Sequence, residues 1–443
     1  MKKIRYILLC LVYCGVVSIF SSCSEEAQPS ITLGEVMIQL SGLDEDLSDM
    51  NVQLRNITTN SVFIERTNQQ GVATFRVTPG IYEAAVSASR NSEGITYIYN
   101  GTSGQVVVQK GQQATTTIQM RCATTSQVVI KELYCGGCMS DNGVDKFQYD
   151  KCVILYNNSS EPASLSNLCF GIAAPANAQA NNNNYTADGH LTYEGEGFIP
   201  VWNGIWYFPE TLTIAPYSQV VINIHGAINN TLTYSQSIDY GNSEYYCMFD
   251  PESGYNNSSY YPTPSEWIPT NHYLKAVEVG VANAWPFSVS SPALVVFQTK
   301  DVTPAEYAQN VNNYWYDGGG SNSVKRCVKV PNEWIVDAIE VYSKDYQSSC
   351  VKRLTADVDA GYVFMTNYKG HSIYRNVDQE ATEGLVENKD LLVYNYVLGV
   401  DDSTDPSGID AEASRQRGAH IIYQDTNNAT NDFHERQLCS LRK

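Results

Sequence analysis

Between Ser126 and Gly171 the chain runs SQVVIKELYCGGC…KCVILYNNSSEPASLSNLCFG. Two apolar runs, Val128–Leu133 and Cys152–Tyr156, are followed by the turn material Asn157-Asn158-Ser159-Ser160-Glu161-Pro162 and then by a third run, Leu165–Phe170. Each run is short, rich in β-branched and aromatic residues, and bounded by Asn, Ser, Gly or Pro. That is the pattern of strands in an antiparallel sheet. The only helical stretches are brief, Thr303–Asn312 and Ala411–Arg417. Leu391–Leu398 reads as one further strand. The expected fold class is therefore all-β, and 443 residues allow two or three domains with cores of their own.

The first 22 residues read as an export signal: basic Lys2, Lys3 and Arg5, the apolar run Tyr6–Phe20, then small residues. The run is short and lacks a basic stop-transfer flank, which disfavours a membrane-spanning anchor. Ser21-Ser22-Cys23 resembles a lipobox, implying cleavage before Cys23 and lipidation of that residue. Ser24-Glu25-Glu26 resembles the acidic export signal of Bacteroidetes surface lipoproteins, implying the outer face of the outer membrane. Residues 23–31 would then be the lipidated cysteine and its tether, and acyl chains the only anchor. The formal charge of −19 becomes more negative once the basic leader is gone. It argues against nucleic acid and against adsorption to an anionic membrane surface.

Residues 32–122 read as a small β-sandwich with strands at Val36–Leu40, Asn51–Asn56, Val62–Arg66, Ala73–Val77, Ile81–Ala88, Thr96–Tyr99, Gln105–Gln109 and Thr115–Met120. Gly71 with Phe75, and Gly80 with Tyr82, match the Gly-x-x-x-Phe and Gly-x-Tyr positions of transthyretin-like, carboxypeptidase-regulatory-like modules, which this region resembles. Glycines there permit tight turns, and the two rings would fill the core. The resemblance implies a spacer.

Residues 126–443 carry a second resemblance, to an immunoglobulin-type, lamin-tail-like β-domain with long loop insertions. Its fragments are Val129–Glu132, Val153–Asn158 with Ala163–Leu168, Leu212–Ile222, Ser372–Arg375 and Asp425–Phe433. Ile154 stands where that pattern usually has Glu, and Tyr217 where it often has Gly. Taken with Trp334–Glu340 and Ala360-Gly361-Tyr362, the region is similar to a Bacteroidetes lipoprotein family of unknown function. That resemblance implies a neighbouring TonB-dependent receptor as partner. The insertions are the Asn/Ala/Gly-rich Ala173–Gly195, the Tyr-rich Tyr240–Tyr273, a turn at Gly318–Gly320 and the acidic loop Asp401–Ala411.

Several residues are candidates for chemistry. Cys135-Gly136-Gly137-Cys138 would suit a redox pair or half a metal site. Turn material follows it, however, and no second CxxC or HxxxH pair exists, so a disulfide-stapled turn involving Cys135 and Cys138 fits better. Cysteines beyond Cys23 are odd in number, so at least one thiol stays free or pairs between chains. Asp401, Ser403, Asp405 and Glu412 fall at the first, third, fifth and twelfth positions of an EF-hand-like calcium loop, but Pro406 occupies the place of the turn glycine. A solvated acidic loop is the alternative. Tyr245, Tyr246, Tyr255, Tyr260, Tyr261, Trp267 and Tyr273 lie close together amid Asn and Ser. Such a stretch suits a binding loop, or a long loop packed down by its own rings.

The six histidines are scattered, and neither a Gly-x-Ser-x-Gly elbow nor a Walker loop occurs. The expected function is accordingly non-enzymatic and without a cofactor. It is that of a surface lipoprotein assisting a TonB-dependent nutrient transporter by binding a glycan, a peptide or a metal complex. The alternative is an adhesive or structural cell-surface protein.

Overall fold

A computed structural model describes residues 32–43, 46–92, 95–124 and 126–442. The export signal, Cys23 and the tether lie outside the described residues. Nearly all regular structure is strand, as expected, and among the described residues no helix is long and apolar enough to cross a membrane.

The N-terminal sandwich follows from alternation. Gly34–Ser41 turns every second residue inward, which is how a strand with one buried face must read. It pairs antiparallel with Val72–Val77 and parallel with Gln113–Gln119. The facing sheet runs Val62–Arg66, Asn51–Asn56, Gly80–Ser92, Ile95–Thr102 and Arg121–Thr124, with Val106–Val108 also paired to Gly80–Ser92. Phe75 and Tyr82 are buried in the core between them. The two glycines act differently. Gly71 has φ +71, whereas a Cβ at Gly80 would sit 2.8 Å from Asn56 Nδ2, so Gly80 is there for space.

The larger domain is organised by one twelve-stranded sheet. In spatial order its strands are Val363–Met365, Ile335–Ser343, Ala293–Gln298, Leu168–Ile172, Gly204–Tyr207, Tyr273–Glu278, Tyr246–Met248, Gln219–His225, Lys151–Asn157, Val128–Tyr134, Ser372–Arg375 and Phe433–Arg436. The sheet bends back on itself. Ile130 on one half donates its N–H to Asp337 on the other, and both halves supply one core with Leu155, Phe170, Trp206, Ile222, Ile339, Ile373 and Phe433. Val128–Tyr134 and Lys151–Asn157 are buried at every residue, so they read as continuous runs without alternation.

A second core lies on the opposite face of one half. Cys169, Ile205, Val295 and Phe297 point into it, away from Phe170, Trp206, Leu294 and Val296. It is covered by a three-stranded sheet of Phe198–Trp202, Arg326–Pro331 and, at its edge, Tyr314–Tyr316.

Some boundaries differ from expectation. Leu165–Phe170 is not one strand. Ala163–Leu165 pairs with Leu212–Ile214, Asn167 turns at φ +53, and Leu168–Ile172 joins the large sheet. Leu391–Leu398 forms no strand; it has a single bridge, Tyr394 to Ile409, and Asn395 at φ +100 breaks it. The helix Pro304–Gln309 begins at a Thr303–Glu306 capping box, and Ala411–Gln416 is capped by Asp410. Gln379–Gly384 and Ala429–Asp432 are further short helices.

The two domains touch through polar groups. Asn100 Nδ2 donates to the carbonyls of Thr426 (2.7 Å) and Asn427 (3.0 Å). Tyr362 donates to Glu83 at 2.9 Å, and the Arg55 guanidinium lies 4.7 Å over the Tyr362 ring.

Candidate functional site

The larger domain buries several charged side chains and pairs them with one another. Arg375 sits where the two halves of the sheet meet. Its Nε donates to Ile130 O (2.6 Å) and its Nη1 to Gln424 O (3.0 Å) and Asp425 (3.3 Å). Nη2 donates to Asp337, and Asp432 lies 3.8 Å from Nη1. Burial pushes Asp337 and Asp432 up to about 7; Arg375 opposes the shift and Asp425 adds to it. A single guanidinium is thus shared by three carboxylates.

Arg353 and Glu340, both fully buried, form a second pair. Nε meets the carboxylate at 2.7 Å, and the other guanidinium nitrogens donate to the carbonyls of Pro175 and Ser291 at 2.9 Å. The other Glu340 oxygen accepts the N–H groups of Arg353 and Leu354. Against the upward push of burial, Arg353 and Lys352 hold Glu340 below its ordinary value. These clusters are closed to solvent, as paired interior charges must be. Their geometry is that of a latch.

The open feature lies elsewhere, at the edge of the three-stranded sheet. A hollow of about 460 Å³ is lined by Asn183, Asn184, Thr192, Tyr314, Trp315, Tyr316 and Gly318–Gly320. Tyr314, Trp315 and Tyr316 are half-buried, held in register against Val328, Cys327 and Arg326. Trp315 packs edge-on to Tyr193 at 5.6 Å, and the Arg326 guanidinium lies 5.0 Å over Tyr314. The buried Asn184 fixes the loop, donating to Asp317 (2.7 Å) and accepting from the Gly318 N–H (2.7 Å). Gly318, Gly319 and Gly320 all have positive φ, at 68°, 82° and 87°, a conformation glycine adopts without strain. A second hollow of about 330 Å³ in the N-terminal sandwich is lined chiefly by Gln and Thr side chains and has no aromatic ring.

The Tyr-rich insertion is largely packed inward. Tyr261 is buried and its hydroxyl accepts the Trp285 N–H at 3.0 Å. Tyr255 stacks near Trp206 at 5.6 Å and donates to Asn203 O. Tyr246 stacks on His272 at 4.1 Å, Tyr260 stands edge-on to His225 at 4.8 Å, and Tyr273 to Phe249 at 5.5 Å. Burial pushes Tyr245 up to about 12. Trp267 alone of the group is 66% exposed.

Two expectations are corrected. Cys135 and Cys138 are separate buried thiols. Cys135 faces the main core with its sulfur 3.7 Å from that of Met365, and burial pushes both thiols up to about 12. The four calcium-loop residues do not converge, because each has a partner of its own. Asp401 reaches Lys344, Ser403 accepts the Glu435 N–H, and Asp405 accepts the N–H groups of Val377 and Ser407. Glu412 is bound by Lys131, Arg415 and Tyr374. Among the described residues no group of three or more His, Cys, Asp or Glu is placed to hold a metal.

The hollow was missed in the sequence, although three aromatics shortly followed by three glycines mark it. In comparison with known proteins, the family described as a protein of unknown function (DUF4876) matches residues 215–390, less than half of the chain; Tyr314–Gly320 lie within that span and Asn183, Asn184 and Thr192 outside it. The solved structure of a DUF4876 family protein from Bacteroides thetaiotaomicron is similar over 90% of this chain and 94% of that one, at 22% identity and a TM-score of 0.48. A DUF3823 family protein from Parabacteroides merdae aligns over 43% of this chain and 79% of its own, at 9% identity and a TM-score of 0.15. The Bacillus anthracis TIE protein aligns over 43% and 45%, at 13% identity and a TM-score of 0.16. No curated protein matches.

Proposed function

We propose that this chain is a lipid-anchored protein of the outer-membrane surface that binds a ligand without transforming it, as an accessory to a TonB-dependent nutrient transporter. The observation that carries the binding role is the open aromatic hollow at Tyr314–Gly320, a concave site with a few fixed polar groups. Its lining side chains are Asn, Thr, Tyr and Trp, whereas the Arg375 and Arg353 carboxylate clusters are spent on closing the sandwich. That division supports binding over catalysis. The surface location rests on the export signal and Cys23, and the transporter on the family resemblance of the scattered motifs.

An adhesive role is the second reading. It is favoured by Val62–Arg66, the outermost strand of its sheet and exposed along its whole length, with Val62 at 51% and Ile64 at 58%. The test is a mild-detergent pull-down of the tagged lipoprotein from its own outer membrane, with mass spectrometry of what accompanies it. A stoichiometric TonB-dependent barrel is expected. Recovery of the lipoprotein alone would count against the transporter and turn attention to host-surface and glycan arrays.

A further inference from the structure

The hollow at Tyr314–Gly320 constrains its ligand more narrowly than the word binding conveys. Its volume falls within the range of about 300–1,000 Å³ typical of small-molecule sites. None of its lining side chains is charged at neutral pH. Around it stand two cations, Lys325 and Arg326, and one anion, Asp317. A Cβ at Gly318 would sit 3.4 Å from Lys325 Nζ, and Asp317 is held by Asn184. Arg326 is engaged by the Tyr314 ring and the Val279 carbonyl, as Asp317 is by Asn184, so the contacts the lining itself has to give are uncharged.

What it does offer is ring faces beside amides. Strand alternation sends Tyr314 and Tyr316 to one face and Trp315 to the other, where Trp315 is committed to Tyr193. Arg326 occupies a face of Tyr314. Tyr316 stands half-buried next to the glycine loop, where Gly319 and Gly320 have no atom within 4 Å of an added Cβ, and unlike Tyr314 and Trp315 its ring carries no stacked ring or cation among the described residues. Asn183 is exposed at the rim and accepts from Asn181 through Oδ1 at 3.2 Å, leaving its amide N–H groups to donate. Thr192, also exposed, adds a hydroxyl that donates or accepts.

We infer that the hollow binds a neutral saccharide, with a sugar ring laid on Tyr316 and its hydroxyls bonded by Asn183 and Thr192. A pyranose presents an apolar face of C–H groups and an equatorial belt of hydroxyls, which is the complement of an aromatic ring flanked by amides and hydroxyls. Asn184 is a positioning residue here, because both ends of its amide are used to hold the loop. This inference deepens the binding role proposed above and rests on it.

The test is calorimetric titration of the full-length protein in mild detergent with cellobiose, maltose, mannobiose and N,N′-diacetylchitobiose, and with digalacturonate as the charged control. At least one neutral disaccharide is expected to bind in preference to digalacturonate. Tyr316→Ala and Asn183→Ala should each weaken that binding about tenfold or more. Tyr316→Phe should retain it, and Trp267→Ala, in the Tyr-rich insertion, should leave it unchanged. Thermal melts of each variant separate a lost contact from a lost fold. Silence from all four neutral sugars, tighter binding of digalacturonate, or affinity that survives Tyr316→Ala would overturn the inference. A barrel that co-purifies while no saccharide binds sinks this inference and leaves the transporter reading standing. A bound saccharide without a barrel does the reverse.

Discussion

The Arg375 cluster and the Tyr316 hollow belong to the same domain and are made of opposite materials. In the first, Asp337, Arg375, Asp425 and Asp432 are drawn from three separated segments; Asp425 is half-buried and the others buried, and the three carboxylates meet on the one guanidinium. In the second, side chains from two loops and an edge strand are uncharged and open. The separated, distinctive motifs of this chain (WIVDAIE, SIYR and DTNNATNDF) meet at the point where the bent sheet must be held shut. The hollow proposed to bind a ligand is lined by segments outside those motifs. The residues most easily recognised here are those that close the fold.

Removing the cation should break that contrast most violently. Arg375→Met leaves three carboxylates in the interior without a counter-ion. Loss of a partner from a buried pair costs about 3–5 kcal/mol, and the fall in urea midpoint should show it. A loss under about 1 kcal/mol would mean the cluster behaves as a surface pair. Gly361→Ala comes next. Its Cβ would lie 2.0 Å from Asn428 Oδ1 and 2.5 Å from Thr430 N, against backbone that holds Asp432, so overpacking of about 1–3 kcal/mol is expected in the same assay.

Glu412 sharpens the comparison by pH. Burial alone would raise it, but Lys131 and Arg415 hold it at about 2, below its ordinary 4.5. A depressed carboxyl stabilises the fold above its unfolded value, and that stability drains as pH falls from about 4.5 towards 2. Glu412→Gln should therefore be less stable at neutral pH yet lose less on acidification, as denaturant midpoints on either side of that window would record. At the hollow the effects shrink. Gly319→Ala meets no neighbour within 4 Å, so only the strain of φ +82 remains, about 1 kcal/mol. Tyr316→Ala should move stability by no more than about 0.5 kcal/mol, its effect being confined to ligand titrations.

Gly34–Ser41, Asn51–Asn56 and Val72–Val77 of the N-terminal sandwich were legible because each buries one face and alternation survives in the letters, whereas Val62–Arg66, exposed throughout, was marked by its composition and flanking turns. Asn51–Asn56 and Val62–Arg66 appear with the expected bounds. Tyr217 was legible as an oddity. It sits at φ +47 where a glycine would be unstrained, stacked on His420 at 4.3 Å. Leu391–Leu398 misled because apolar composition does not reveal a partner strand, and there is none beyond one bridge. The Tyr-rich insertion and the Tyr314–Tyr316 strand show the same limit from both sides. Aromatic density does not say which rings face the core; that is decided by strands remote in sequence, such as Gly204–Tyr207, whose Trp206 draws Tyr255 and Tyr261 inward.

The contacts between the two domains have a mechanical consequence. Asn100 grips the backbone at Thr426 and Asn427, and Glu83 with Arg55 grips Tyr362. Thr426 is bonded to Asp432, and Tyr362 follows Gly361, whose N–H is held by Asp359. The N-terminal sandwich is therefore fastened to the same chain segments that surround the guanidinium, so a pull on one domain bears on the groups that close the other.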